Sequence, residues 1–329
     1  MQIYRALTAE LQGDAVRARI AERTTDQLPE GEVTIRVAYS SVNYKDGLAL
    51  RANSRVVKSY PIVPGIDLAG TVTESRDERY RPGDRVIVTG YELGVSRDGG
   101  YGEFARVPAD WVVPLPPGLT LREAMICGTA GFTAALSIDR LERHGVAPGN
   151  GPVLVTGATG GVGCLAIAML TARGYEVTAS TGKADGHEFL KKIGAATVID
   201  RRQLTPETIR PLDRQTWSAA IDPVGGRSLA FILSAIRYGG AAAVSGLTGG
   251  TDVPATVYPF ILRGVSLIGI DSVYCPMEER IRVWKRMAGD LKPAALDELC
   301  TREVTLDDLP EVLAAFLLGQ HMGRTIVRM

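Results

Sequence analysis

The stretch Val153-Leu-Val-Thr-Gly-Ala-Thr-Gly-Gly-Val-Gly163 decides how this chain folds, because three apolar residues run straight into four closely spaced glycines. Residues 152–156 read as a short buried strand, residues 162–172 as an apolar stretch of helix length, and residues 176–180 as a second strand. At such a junction each missing side chain has a use. The turn needs a positive φ, the backbone must come close to a pyrophosphate, and the helix must pack against the strand it follows. The helix start then presents N–H groups and the positive end of its dipole to phosphate oxygens. Glycines alone are a weak signal. Strand, turn, helix and strand in this order give the pattern its meaning, which is dinucleotide binding.

The end of the second strand selects the dinucleotide. Enzymes that use NAD commonly carry Asp or Glu ~20 residues past the glycines to hold the ribose 2′-hydroxyl. The corresponding stretch here, Ala179-Ser-Thr-Gly-Lys183, contains no carboxylate to repel a 2′-phosphate. The hydroxyls of Ser180 and Thr181 can donate to phosphate oxygens, Gly182 admits the backbone, and Lys183 adds positive charge. The predicted cofactor is therefore NADPH. Arg201, just beyond the next strand, is either a second cation or adenine-stacking group, or a solvated side chain beside Arg202.

Further out, strand and helix keep alternating: a helix over residues 186–193, strands at 197–199 and 219–221, a helix near 227–236 and a strand at 241–245. This implies an α/β fold, a doubly wound parallel sheet with helices on both faces. The first ~125 residues follow another rhythm, with β-prone runs at 33–37, 67–73, 85–89 and 102–107 between Gly and Pro turns. A length of 329 residues, against ~150 for a usual domain, predicts two domains. After an apolar strand at 265–270 come amphipathic helices near 277–288 and 306–318 and a last β-prone run at 324–327. The pattern leaves open whether the last ~50 residues rejoin the first module or extend the parallel sheet.

Composition excludes several classes. Lys plus Arg and Asp plus Glu balance at 37 each, so nothing suggests nucleic acid or a membrane surface as a partner. No run approaches ~18 apolar residues, and residues 1–20 lack the basic head and apolar core of an export signal, so a soluble cytoplasmic protein is expected. Cys127, Cys164, Cys275 and Cys300 are scattered, and His144, His187 and His321 have no second ligand at metal-binding spacing. No metal is expected.

Other motifs stand along the chain: Ser41-Val-Asn-Tyr-Lys-Asp46, Pro64-Gly-Ile-Asp-Leu-Ala-Gly70, Gly128-Thr-Ala-Gly-Phe-Thr-Ala134, Ala220-Ile-Asp-Pro-Val-Gly225, Pro259-Phe-Ile-Leu-Arg263, Gly269-Ile-Asp-Ser272 and Gly323-Arg324. With the glycine turn and Ser180 to Lys183, they make the whole chain resemble the medium-chain dehydrogenases/reductases, and within them the zinc-free acrylyl-CoA reductases and quinone oxidoreductases. Zinc-dependent relatives carry Cys in place of Asn43, Gly-His-Glu in place of Gly65-Ile66-Asp67, and a four-cysteine loop that is missing here. The resemblance implies a GroES-like β-barrel catalytic domain of residues 1–128 plus 275–329. A Rossmann dinucleotide-binding domain of residues 129–274 is inserted in it, and a homodimer pairs through the edge strand 265–270. It also places Thr159, Gly160, Gly161, Val162 and Gly163 on the pyrophosphate, and Leu247, Ile261 and Ser272 on loops near the nicotinamide half.

The implied reaction is reduction of the C=C bond of a short α,β-unsaturated acyl-CoA such as acrylyl-CoA. Charge develops on the thioester oxygen, and without a Lewis acid a hydrogen-bond donor must stabilise it. Tyr44 is the candidate, as a neutral phenol donor or acid; contact with the nicotinamide end of the cofactor, or mere packing in the barrel, are its other readings. Asp46 and Asp67 read as an acid pair or, more commonly for turn carboxylates, as caps on backbone N–H groups. Arg51, Arg55 and Lys58 are candidates for a CoA site or plain surface charge. Three alternatives remain: an NADPH:quinone or general enone reductase, a non-catalytic NADPH-binding protein, and a zinc alcohol dehydrogenase.

Overall fold

The computed structural model describes residues 1–319 and 321–329. In chain order, β1 (Ile3–Gln12) and β2 (Ala15–Thr24) form an antiparallel hairpin. β3 (Val33–Ser41) leads into the short helix α1 (Tyr44–Leu48), followed by β4 (Asp67–Ser75), β5 (Arg85–Thr89), β6 (Phe104–Val107) and β7 (Val113–Pro114). The long helix α2 (Leu121–Arg143), broken at Gly128, leads to β8 (Val153–Val155), α3 (Gly161–Ala172), β9 (Val177–Thr181), α4 (His187–Lys192) and β10 (Thr197–Asp200). Next come β11 (Trp217–Asp222), α5 (Gly226–Ala235), β12 (Ile236–Val244), α6 (Tyr258–Arg263) and β13 (Ser266–Gly269). The chain ends with α7 (Met277–Ala288), β14 (Cys300–Thr305), α8 (Leu309–Phe316) and β15 (Arg324–Arg328).

Strands β8 to β13 pair in parallel in the order β10-β9-β8-β11-β12-β13. The first strand lies in the middle, so the chain winds outward through β9 and β10 and then reverses to β11. That reversal is where an open α/β sheet offers the carboxyl ends of its strands to a dinucleotide. Helices cover both faces, which is why β8, β9 and β11 are buried at every position instead of alternating. Leu229, Ile232 and Leu233 of α5 share one core with Leu154, Ala220, Ile236 and Ala242.

The other sheet runs β14-β15-β3-β4-β5-β7, with β6 paired to β3. β15 lies antiparallel to β3, with Ile326 opposite Ser41, and β14 is parallel to β15. The chain's end therefore rejoins its beginning, the choice that pattern left open. Tyr4, Leu7, Val42, Tyr101 and Phe104 pack in one core with Leu306, Leu309, Leu313, Phe316 and Val327.

Two compact units result: Met1–Thr129 with Val273–Lys285 and Cys300–Met329, and Ala130–Ser272 with Arg286–Leu299. Residues 286–299, expected in the outer domain, fall in the second unit. Arg286 is ion-paired there with Asp139 at 2.9 Å and Glu142 at 2.7 Å, and Lys192 with Glu298 at 3.1 Å. The expected helix over 306–318 is shorter, because a 3-10 turn, Leu306–Asp308, precedes α8 and Pro310 stands in its first turn. Among the described residues no helix is long and apolar enough to cross a membrane.

Leu154 is fully buried at the centre of the parallel sheet. Leu154→Ala is expected to cost about 2–5 kcal/mol of that unit's stability, and Leu262→Ala, at an exposed position, less than about 0.5 kcal/mol. Denaturant midpoints of the two variants check this.

Candidate active site

The glycine turn is built as a cradle. Gly157 adopts φ of +53°, and Gly160 caps α3 without a side-chain acceptor. A Cβ on Gly163 would lie 2.5 Å from the Gly157 carbonyl oxygen and 2.7 Å from Ala158 Cα, so only glycine lets the helix start this close to the turn. The Ala158 N–H donates to the Ser180 carbonyl at 3.1 Å, which ties the turn to the end of β9. Thr156 Oγ1 donates to the buried Asp222 carboxyl, which also accepts from the Gly225 N–H at 2.8 Å. Burial raises Asp222 above the usual carboxylate range. The uncapped N–H groups of α3, with Thr159, Gly160, Gly161 and Val162 around them, make a ready anion site, and the close backbone approach fits a pyrophosphate.

At the end of β9, Ser180 and Thr181 are buried and the Thr181 hydroxyl accepts from the Lys183 N–H at 3.1 Å. Burial lowers the Lys183 ammonium from its ordinary range. Arg201 lies across Gly182, where a Cβ would fall 2.6 Å from Arg201 Nε. Ser180, Thr181, Gly182, Lys183 and Arg201 are thus brought to one corner, a donor set that fits a phosphate on the adenosine ribose. Leu247, 64% exposed, follows β12 beside Gly225. Ile261, 68% exposed, is on α6, whose Arg263 donates to the Ser234 and Ile236 carbonyls at the opening of β12. Ser272 lies just beyond β13.

In the first unit Tyr44 opens α1 and is 49% exposed. The residues around it are not. Asn43 is the helix cap, and its N–H donates to Asp46 Oδ2 at 2.8 Å, while Asp46 Oδ1 accepts from the Ile66 N–H at 3.0 Å. Asp67, fully buried, accepts from Ser41 Oγ at 2.5 Å, Asn43 Nδ2 at 2.8 Å and the Thr129 N–H at 2.9 Å, and from the Thr129 hydroxyl. The buried guanidinium of Arg324 donates to Ser41 Oγ at 3.0 Å, the Val42 carbonyl at 3.2 Å and the Ile126 carbonyl at 2.8 Å. Asp46 and Asp67 therefore do cap backbone groups, yet they also sense each other: burial and the neighbouring Asp67 carboxyl push Asp46 up to about 7. Of the basic candidates, Lys58 is engaged by Glu92 at 3.1 Å, and Arg51 and Arg55 are exposed.

Sequence reading missed Ser41, Thr129 and Arg324 as members of this cluster. The available signals were a glycine inside a helical stretch, Gly128, and an arginine inside a β-prone apolar run, Arg324. Gly128 has φ of +52°, and a Cβ there would lie 2.5 Å from Asp67 Oδ2. The break in α2 is what delivers Thr129 to the carboxyl.

A reversing parallel sheet with a glycine cradle and a phosphate corner defines a dinucleotide-dependent oxidoreductase fold. Residues 29–117 match the profile of the alcohol dehydrogenase GroES-like domain, and residues 161–288 that of zinc-binding dehydrogenases. The protein YhfP of Bacillus subtilis, whose name proposes quinone oxidoreductase activity, is 56% identical over 99% of both chains. Its crystal structure with NAD bound matches at a TM-score of 0.99 over the whole of both chains, at 55% identity. Acrylyl-CoA reductase AcuI of Ruegeria pomeroyi is 50% identical over 94% of both chains. The yhdH oxidoreductase of Salmonella enterica, solved with NADP, is 44% identical over 99% of both chains with a TM-score of 0.96. The chain belongs to the medium-chain dehydrogenase/reductase superfamily, in the group of YhfP and the acrylyl-CoA reductases.

The zinc in the profile's name does not fit these residues. Asn43 and Ile66 offer no thiolate or imidazole, and Arg324 already brings a positive charge to the Asp67 cluster through Ser41. Among the described residues no group of three or more His, Cys, Asp or Glu is placed to hold a metal ion.

The raised Asp46 value has a consequence for stability. Between pH 3.8 and about 7 the folded chain keeps a proton on Asp46 that the unfolded chain has released, so this group's contribution falls as pH rises through that window. Asp46→Asn is expected to flatten the decline, measured as denaturant midpoints from pH 4 to 8; an unchanged slope would rule Asp46 out as its source.

Proposed function

We propose that this protein is an NADPH-dependent, metal-independent reductase of the C=C bond of short α,β-unsaturated acyl-CoA thioesters such as acrylyl-CoA. The observation that carries the cofactor half is the corner of Ser180, Thr181, Gly182, Lys183 and Arg201, a run of hydroxyl and cationic residues without a carboxylate at the end of β9, against whose Gly182 the Arg201 side chain lies. The substrate half is supported by the 50% identity to acrylyl-CoA reductase AcuI. YhfP with NAD bound points the other way on the cofactor. The residues here decide for NADPH, since Lys183 and Arg201 suit a dianionic phosphate better than a neutral hydroxyl.

When bound, NADPH would supply the hydride for the β-carbon, and a proton taken up at the α-carbon would complete the reduction. The chain's own part is to hold and polarise. Thr159 to Gly163 would hold the pyrophosphate at the start of α3, which has no side-chain cap. Tyr44, exposed at the start of α1 and backed by the rigid Asn43–Asp46 cap, donates its phenol hydrogen to the thioester oxygen as negative charge gathers there. Leu247, Ile261 and Ser272 serve the nicotinamide half through packing and backbone groups. Two copies pair through β13, the sheet's last strand, which exposes Leu267.

A second reading, an NADPH:quinone or enone reductase, is favoured by the 56% identity to YhfP. Steady-state NADPH oxidation with acrylyl-CoA, crotonyl-CoA and a simple quinone, repeated with NADH and with a chelator, separates the two. Highest kcat/KM for acrylyl-CoA, NADPH preference and indifference to chelator are expected. Turnover of quinone alone moves the protein to the second reading, and no turnover of any acceptor leaves a non-catalytic NADPH-binding protein. Lys183→Ala is expected to raise the NADPH KM by about 10- to 100-fold with a much smaller change for NADH. Tyr44→Phe is expected to lower kcat by about 100-fold with little change in NADPH affinity. A raised NADPH KM at unchanged kcat would make Tyr44 a cofactor contact only.

A further inference from the structure

The stretch 179–183 holds no carboxylate, but the fold brings one beside it. β10 runs parallel to β9 with Asp200 opposite Thr181, so the last residue of β10 borders the phosphate corner from the neighbouring strand. A negative charge there opposes a 2′-phosphate. Asp200 is engaged by Arg202 in three ways: Oδ1 accepts from Arg202 Nε at 3.0 Å and from the Arg202 N–H at 2.8 Å, and Oδ2 from Nη2 at 2.7 Å. The backbone bond caps the 3-10 turn Arg201–Leu204 and fixes where each arginine leaves the chain. Arg202 folds back on Asp200, and Arg201 crosses Gly182 into the corner.

We propose that the Asp200–Arg202 pair is a positioning device for 2′-phosphate recognition, in which Arg202 masks the Asp200 carboxylate while the capped turn aims Arg201 at the phosphate. The inference rests on the NADPH reading and adds to it a specificity-determining residue that makes no contact with the cofactor. The arginine fork holds Asp200 down to about 2, so a full charge is masked at neutral pH. Arg202 is 86% exposed and Asp200 37%. An ion pair so open to solvent contributes little to folding, which leaves its three-bond geometry in want of another purpose.

The test is calorimetric binding of adenosine 2′,5′-bisphosphate and of AMP, which differ by the 2′-phosphate, to the wild type, Arg202→Ala and the double variant Asp200→Asn/Arg202→Ala. Arg202→Ala is expected to weaken the bisphosphate about fivefold at low salt, the repulsion of a carboxylate ~8 Å from a dianion in a water-like medium, with AMP affinity nearly constant. The double variant removes the exposed charge and restores the wild-type ratio to within about twofold, and ~0.5 M salt shrinks the Arg202→Ala loss. Arg202→Lys, which keeps the charge, retains most of the preference. A double variant as weak as Arg202→Ala would mean that Arg202 binds the phosphate itself and would overturn the proposal, as would an unchanged ratio in Arg202→Ala. A wild type that does not distinguish the two nucleotides would overturn the NADPH reading beneath it.

Discussion

A carboxyl group shut away from water must find its donors inside the protein, and the first unit is organised around meeting that demand for Asp67. Its partners come from the end of β3, the cap of α1 and the residue after the break in α2, and Arg324 of β15 joins through Ser41. Each partner is thereby fixed relative to the others. Leaving one such donor or acceptor unpaired in the interior costs roughly 1–3 kcal/mol, so the cluster resists piecemeal change. Its arrangement also explains the return of the chain's end to its beginning: β15 completes the sheet beside β3 and delivers the guanidinium that the cluster needs.

The second unit depends on the opposite device, missing side chains instead of satisfied ones. Gly163 sits where any Cβ would strike the Gly157 carbonyl, and Gly182 where it would strike Arg201. In the first case the helix is let close to the turn, and in the second a side chain is admitted over the backbone. Asp222 holds the turn from below by accepting from Thr156 and Gly225, so the position of the cradle is set by a buried hydrogen-bonded group and not by the glycines alone.

What the sequence made legible follows from locality. The strand, glycine turn, helix and strand are contiguous, so periodicity and residue chemistry were enough to read those elements. Contacts assembled across the chain were illegible. Nothing in residues 64–70 shows that Arg324 lies in the same cluster, and nothing in residues 179–183 shows that Asp200 stands beside Thr181. The β1–β2 hairpin escaped for another reason: in β2 the apolar residues Val16, Ala18 and Ile20 alternate with charged ones but are only partly buried, so the strand carries a short and weak apolar face.

The same cluster explains how a fold whose profile is named for zinc is arranged without the ligands for it. Asp46 and Asp67 are neighbouring carboxyls, and burial together with that neighbour favours a proton on Asp46. A divalent cation would have to displace Arg324, strip Asn43 from Asp67 and bind without thiolate or imidazole. The cluster is instead closed electrostatically within the chain, and it spends its donors on fixing α1. In the proposed reaction, polarising the substrate falls to what α1 presents outward, and the residue it presents is Tyr44, half-exposed at the start of the helix that the buried Asn43–Asp46 cap holds. Rigidity below and a neutral donor above are what preorganised electrostatic stabilisation requires when no Lewis acid is built in.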